Sequence, residues 1–221
     1  NVARLYHTNN EKLATTATGI DVTGTVVADG LVVDGNSVFT TADNSAQVTL
    51  ISTDTDALVG PQLNLWRNSG AGSNGDLIGE ITFSGEDTVG STNVFASISS
   101  IAEQTNNGSE DGSLHFNTLL NGTLAKRLSI GLASTGGDVS FYEDTGSTPK
   151  MVWDASAESL GIGTSSPSKQ LEVQNAAAGT AIRASNNGGG YAELACTSNA
   201  TSTAELNFTN SLALLGGNVG I

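Results

Sequence analysis

The side chains with the clearest capacity for chemistry in this chain are carboxylates, and one group of them invites a calcium-site interpretation. Loops bind Ca²⁺ when a twelve-residue segment places oxygen ligands at alternating positions and closes with a Glu. No such loop surrounds the candidate aspartates, which are Asp29, Asp34, Asp43, Asp54 and Asp56. Asp29 and Asp34 each precede a glycine, and Asp-Gly pairs are typical of tight turns. The sequence therefore favours turns over a metal site, and no metal-ligating residue is predicted.

Two acidic pairs, Glu86-Asp87 and Glu110-Asp111, suggest a second chemistry, the cleavage of glycosidic bonds. That reaction needs two carboxyl groups flanking the bond, one as acid and one as base or nucleophile. Both pairs stand beside glycines in a chain with 22 acidic residues. We interpret them as loop residues and predict no catalytic residue, with polysaccharide cleavage as the alternative.

Nucleophiles and cofactor motifs are sparse. Cys196 is the single cysteine, it lies in phase with Leu194, and it is interpreted as a small buried apolar side chain. A catalytic thiol needs a nearby base, whereas His7 and His115 are distant in sequence. The glycines at 188–190 lack the Lys and Ser/Thr of a phosphate-binding loop. No cofactor and no cofactor-binding residue is predicted.

Three aromatic residues are candidates for stacking on sugars: Trp66, Trp153 and Tyr142. Trp153 continues the apolar phase of Met151, which predicts a core position. Trp66 is out of phase with its apolar neighbours, and this makes it the better surface candidate. Packing against a neighbouring chain is the favoured interpretation even for Trp66.

The charge balance excludes two classes of partner. The chain carries 22 acidic and 8 basic residues, a net charge of −14. Such a surface repels phosphate backbones and anionic membranes. No apolar run approaches the length of a membrane-spanning helix. We therefore expect neither nucleic-acid binding nor membrane insertion, and the class of protein must be sought in how the strands are arranged.

The elements that would position all these residues are short strands. Period-two alternation of apolar and polar residues marks a strand with one buried face. The 221-residue chain has 27 glycines and only 5% aromatic residues, so turns are frequent and the predicted cores are small. A triplet with apolar first and third residues recurs along the chain at 63–65, 81–83, 114–116, 128–130, 139–141, 151–153, 160–162, 171–173 and 206–208. Its middle residue is polar except at Val152 and Gly161.

The spacing of strands and turns predicts four regions and an all-β fold without a stable helix. Residues 1–45 are a repetitive β shaft, 46–131 a small antiparallel β module, 132–170 shaft or linker repeats, and 171–221 a second, truncated module. The repeat of 159–162 at 218–221 supports an array, a design that serves length and display. Strands within the first module are predicted at 46–52, 62–67, 77–84, 94–101, 113–118 and 126–130.

One copy of such a chain is too thin to be stable. Each short strand offers one or two apolar side chains, worth about 1.5–3 kcal/mol each when fully buried. Ordering each residue costs about 1–2 kcal/mol of backbone entropy. Three chains wound about one axis would bury the apolar residues against their symmetry mates and give each strand edge a partner. We therefore predict an elongated, intertwined homotrimeric fibre, with a triple-stranded β-helix or β-prism shaft and small antiparallel modules.

Several phrases resemble the repeats of tail-fibre proteins from marine bacteriophages. They are Lys12–Thr16 followed by Gly19–Val26, Asp138–Gly146 running into Trp153–Ala155, and Leu160–Pro167 with Leu171–Val173. The last phrase is similar to one common in phage fibres that end in an intramolecular chaperone domain, although no such domain is recognised here. The pattern also starts and stops without a break, so we expect a segment of a longer fibre.

The resemblance implies an extracellular virion structural protein of the tail fibre, without enzymatic activity, that serves host attachment. Its implied partners are two further copies of itself, other virion tail proteins, and a host cell-surface receptor that is a glycan or an outer-membrane component. Two alternatives remain: a polysaccharide-degrading tailspike, which needs a long parallel β-helix, and the stalk of a cellular trimeric adhesin.

Overall fold

The computed structural model describes residues 3–131, 137–175, 179–185 and 191–196. Every regular element among them is a β-strand, and the sheets are mainly antiparallel, so the all-β prediction is confirmed. The chain divides into two units, Asn1–Gln62 and Leu63–Ile221, which are described separately below. The predicted boundaries of the four regions remain predictions.

The first unit contains one small sheet and a long unpaired segment. Strands β1 (Arg4–His7), β2 (Asn10–Thr15) and β3 (Ile20–Val22) pair antiparallel in that order. Thr8 and Asn9 join β1 to β2 with φ of 49° and 61°, the left-handed conformations of a two-residue hairpin turn. Beyond β3, residues 23–62 form no strand.

The second unit is built on an eight-stranded sheet in which each strand lies beside the next one in sequence. Short turns make this order possible, as at Asn121-Gly122, where φ is positive at both residues. The strands are β4 (Asp76–Glu86), β5 (Thr92–Gln104), β6 (Asp111–Leu120), β7 (Thr123–Ile130), β8 (Val139–Tyr142), β9 (Pro149–Asp154), β10 (Ser159–Ile162) and β11 (Leu171–Val173). A separate antiparallel pair joins β12 (Gly179–Ser185) and β13 (Tyr191–Cys196).

The last strand of the large sheet differs from the others because it runs parallel to its neighbour, β10. The chain turns at Gly163, whose φ is 81°, and comes back alongside β10. A Cβ at Gly163 would collide with the carbonyl oxygen of Gln174, so this close approach requires glycine. Hydrogen bonds from Leu160 N to Gln170 O (2.8 Å) and from Gln174 N to Ile162 O (2.7 Å) lie at the two ends of the pairing between β10 and β11.

Four of the six strands predicted between 46 and 131 are confirmed. The predictions 77–84, 94–101, 113–118 and 126–130 fall within β4 to β7. The predictions 46–52 and 62–67 are wrong for the single chain, because neither segment has a strand partner in the described residues. A strand exists only where a second backbone completes its hydrogen bonds, and alternation of residue types does not supply one.

Burial in the large sheet follows side-chain size more than hydrophobicity. Ser97 and Ser129 are 1% and 2% exposed, because their short side chains lie below those of their neighbours. The buried hydrophobic side chains among the described residues are Ala14, Ala125 and Val152. The large apolar residues therefore find little cover within the described chain.

Candidate interaction surfaces

The register of the large sheet aligns apolar residues from all eight strands in one continuous row. Ile81 pairs with Ile98, Ile98 with Phe116, and the row continues without a polar residue. Directly opposed residues of neighbouring strands have their side chains on the same face. The whole row is Ile81, Ile98, Phe116, Leu128, Phe141, Met151, Ile162 and Val173.

A second row on the same face lies two residues away along each strand. It begins at the small residues Gly79 and Ser100 and then becomes apolar through Leu114, Ile130, Val139, Trp153, Leu160 and Leu171. We call these two rows together the apolar face. Neither row contains a charged residue. Six of the nine recurrent triplets contribute both their first and third residues to it, and the triplet 81–83 contributes Ile81. The middle residues of these seven triplets are on the other side of the sheet.

The apolar face is open in the described chain. Its members Ile81, Ile130, Phe141, Trp153 and Leu171 are all more than two-fifths exposed. So is Phe83, which lies two residues beyond Ile81 on the same side of β4. Trp153 shares the face of Met151, as its phase predicts, yet it is 43% exposed and is not buried in the core of one copy. A contiguous apolar surface of this kind marks an interaction site.

On the opposite, polar face, neighbouring side chains form hydrogen bonds with one another. The amide of Asn117 donates to Ser97 Oγ at 3.0 Å, and the hydroxyls of Ser129 and Tyr142 lie 3.0 Å apart. Lys126 Nζ lies 4.4 Å from the centroid of the Tyr142 ring, so this ring face is already occupied by a cation. Stacking of a sugar on that face of Tyr142 would have to displace Lys126.

A Ser–His–Glu contact on the polar face has the wrong order for nucleophile activation. Ser113 Oγ donates to Glu103 Oε1 at 2.6 Å and lies 3.1 Å from His115 Nε2. In a catalytic triad the histidine stands between hydroxyl and carboxylate. Here the serine is central and buried. Burial and then the nearby Lys126 charge lower the pKa of His115, against the opposing effect of Glu103, which favours a neutral ring bound into the sheet.

A concavity of about 380 Å³ also opens on the polar face, lined by hydroxyl groups of Ser140, Ser147, Ser165 and Ser166 beside Lys126 and Asp138. Asp138 is buried, and its carboxylate accepts a hydrogen bond from Ala155 N at 2.9 Å. Among the described residues that line the concavity, Lys126 is the only cation, and it lies over the Tyr142 ring. Asp138 is the only carboxylate among those residues, so they do not supply the two carboxyl groups that cleavage of a glycosidic bond requires.

The unpaired segment 23–62 of the first unit is the second apolar surface. Val27 and Val32 are 92% and 96% exposed, and Leu31, Val38, Ile51, Leu58 and Val59 are all more than three-quarters exposed. Beyond Thr23, the segment makes no backbone–backbone hydrogen bond to any described residue. Its contacts are local turns from side chains, such as Ser45 N to Asp43 Oδ1 at 2.8 Å and Leu58 N to Asp56 Oδ1 at 2.8 Å.

The candidate calcium ligands all lie in this segment. Hydrogen bonds from Ser45 and Thr41 lower the pKa of Asp43, and Asp54 accepts from Asp56 N at 3.2 Å, so these carboxylates cap turns. In the described part of the chain, no three His, Cys, Asp or Glu side chains gather as a metal site would require.

The two acidic pairs also contain loop-forming residues. Asp87 accepts from Val89 N and Ser91 N, each at 2.9 Å, and these bonds lower its pKa. Glu110 accepts from Gly108 N at 3.0 Å. Glu86 and Asp111 are the terminal residues of β4 and β6. Hydrogen bonding to the chain's own backbone accounts for Asp87 and Glu110 without a substrate.

The remaining predicted residues have mixed outcomes. Trp66 is 75% exposed, in agreement with its prediction as a surface residue. Cys196 is the last residue of β13. The glycines at 188–190 and the triplet 206–208 lie outside the described residues.

Sequence reasoning missed two polar contacts that shape the hairpin between β8 and β9. Glu143 accepts from Thr145 Oγ1 (2.6 Å) and from the backbone N–H groups of Thr145, Ser147 and Thr148 (2.9 Å each), and its pKa lies far below the usual range. The acidic residue followed by Thr, Gly and Ser was a detectable sign of this turn.

Arg127 holds the same hairpin from β7. Its guanidinium donates to Thr118 Oγ1 at 2.9 Å and to the carbonyl oxygens of Glu143 (3.1 Å) and Asp144 (2.7 Å). Its Nη2 is buried without a partner among the described residues. Its partners are nine to seventeen residues away, so no local motif could predict these bonds.

Comparison with known proteins adds no family. No model of a known protein family matches the chain, and no curated protein matches it. The described residues contain no helix with the length and hydropathy needed to cross a lipid bilayer. The two apolar surfaces are therefore the features of the described chain that point to a function.

Proposed function

We propose that this chain is a structural segment of a homotrimeric fibre of the phage-tail type, which spaces and presents host-receptor-binding elements. The observation that carries the proposal is the segment 23–62, where β-branched and other apolar residues project from a backbone that has no partner in the described chain. The resemblance of the repeats to phage fibres supplies the biological setting.

Free energy favours intermolecular pairing of this segment. Leaving a Val or Leu side chain in water forfeits about 1.5–3 kcal/mol relative to full burial. An extended strand also presents unpaired N–H and C=O groups that template pairing with another chain. Two further copies of the same segment supply both the apolar cover and the backbone partners, and three-fold closure leaves no edge.

The net charge, the hydrogen-bonded carboxylates and the exposed Trp66 also fit a mechanical role. The net charge of −14 keeps assembled fibres soluble and apart. The carboxylates that suggested chemistry include Asp43, Asp87 and Glu110, which accept hydrogen bonds from the backbone of their own turns. Exposed Trp66 is the residue we assign to surface contacts, including contacts with cell-surface glycans.

The solution mass of the full chain tests the proposal. We expect light scattering to give three times the chain mass of 22.3 kDa, and electron microscopy to show rods. A monomeric, compact particle would overturn the proposal. Incubation with host polysaccharide is the matched functional control: shortened polysaccharide chains would replace the structural role with that of a cleaving tailspike.

A further inference from the structure

We propose that the apolar face of the eight-stranded sheet is a second self-association surface, covered by the same face of other copies of this chain. The inference rests on the assembly proposed above but concerns a different part of the molecule. It identifies the sheet as a core-forming part of the assembly, with the apolar face inward and the polar face outward.

The exposed apolar surface has the size of a stable interface. Nine exposed apolar side chains on this side of the sheet leave roughly 600–1,000 Å² open, taking about 150–250 Å² for each residue. A stable interface buries about 800 Å² on each partner. Those nine residues are Ile81, Phe83, Leu114, Ile130, Phe141, Met151, Trp153, Ile162 and Leu171.

The apolar face carries no charge. A chain with net charge −14 is repelled by its own copies, so an uncharged surface is the part best suited to self-association. The two rows of the apolar face contain no charged residue, while Glu80 and Glu172 are on the polar face. Aromatic residues and Met, which are enriched at interface cores, occupy the middle strands as Phe116, Phe141, Met151 and Trp153.

The chain covers only part of this face with its own residues. At the β4 edge, Leu65 packs on Gly79: a Cβ built on Gly79 would be 2.9 Å from Leu65 Cβ. This contact fills the place where the second row lacks a large side chain. Further along the same row Leu114, Ile130, Trp153 and Leu171 are exposed, while Val139 and Leu160 are half-buried. Around a three-fold axis the same face of each copy turns inward and can contact the corresponding faces of the other two copies.

The test measures the accessibility of position 141 in the assembled full chain. In a Cys196→Ser background, Phe141→Cys places a thiol at the centre of the first row. Lys150→Cys is the matched control, because Lys150 is exposed on the adjacent strand β9 and belongs to neither row. We expect maleimide to label Cys at 141 at least tenfold more slowly than Cys at 150 in the native assembly, and equally fast in denaturant. Mild oxidation should link two chains through position 141 only.

Each outcome is read together with the solution mass. A trimer in which position 141 reacts as fast as position 150 overturns this inference and leaves the proposed function standing. A monomer with a protected position 141 means that the chain's own residues cover the face, and both proposals fail. If Phe141→Cys does not assemble, Met151→Cys in the same row repeats the measurement, and fast labelling there also overturns the inference.

Discussion

Residues 23–62 and the sheet of β4 to β11 use similar apolar runs and tight turns, but only the sheet pairs within the chain. The sheet begins with long hairpins, to which the shorter strands β8, β10 and β11, of 4, 4 and 3 residues, are added. β4, β5 and β6 have 11, 13 and 10 residues, enough to repay the entropy of closing each hairpin. The runs around Asp29-Gly30 and Asp34-Gly35 have only three or four residues between turns. No long hairpin adjoins these short runs within the segment, so their strand partners must come from elsewhere, and in our proposal they come from other copies of the chain.

The largest expected effect comes from placing a charge on the unpaired segment. Val32→Lys should weaken assembly of the proposed trimer at least about 100-fold, because three ammonium groups would then be buried without partners. Sedimentation at decreasing concentration measures the change. Asn36→Lys adds the same charge at a polar position of the same segment and should leave assembly within a few-fold of the original. Equal effects of the two substitutions would mean that only net charge matters.

The next effect concerns a turn on which the sheet depends. Gly163→Ala should lower the free energy of unfolding of the sheet by about 2–4 kcal/mol, because φ is 81° there and the new methyl would meet Gln174 O. Thermal unfolding measures it. Gly30→Ala, in the unpaired segment, meets nothing within 4 Å and should change stability by less than about 0.5 kcal/mol. A neutral Gly163→Ala would contradict the parallel placement of β11.

A smaller loss is expected at the long-range contact of the sheet. Arg127→Met keeps the aliphatic stem and removes the donors to Thr118, Glu143 and Asp144, which should cost about 1.5–3 kcal/mol. Arg67→Met is the control: Arg67 is 42% exposed, pairs with Asp76 at 3.1 Å and donates to Leu77 O at 3.1 Å. Because these contacts are open to water, their loss should cost less than the loss of the Arg127 contacts, about 1 kcal/mol. Chemical denaturation of both variants ranks them, and the reverse order would refute the assignment.

The smallest effect is the pH dependence of the hairpin between β8 and β9. Hydrogen bonds from the Thr145 hydroxyl, then from Thr148 and its neighbours, lower the pKa of Glu143. A lowered folded-state pKa stabilises the hairpin fully above the ordinary value of about 4.3, and the contribution is lost as pH falls through the folded value.

Glu143→Gln should therefore reduce amide protection of Thr145, Ser147 and Thr148 at pH 7 and flatten its decline towards pH 3. Hydrogen exchange followed by NMR measures both. Asp144→Asn is the control within the same turn, since no described group donates to the Asp144 side chain. Identical pH profiles for the two variants would show that Glu143 does not organise the turn.

Much of the sheet was predictable from residues alone, because period two assigns each residue of a strand to one of two faces. The triplets at 128–130 and 151–153 show this, since their apolar residues share one face and their middle residues the other. The strand predictions 46–52 and 62–67 failed because alternation reports a preference for extended backbone and carries no information about a partner. Arg127 and Ser113 were missed because their contacts join separate strands.

The sequence by itself determined that the chain is all-β, which residues of each triplet share a face, and that the surface is acidic. These properties are local or additive, so no knowledge of neighbours is needed. Only the tertiary structure decided that the strands stand in sequence order, that β11 turns parallel at Gly163, and that the triplets align into two uninterrupted rows. Register depends on turn lengths and on bulges such as that between Phe116 and Asn117, and a shift of one residue would exchange the two faces.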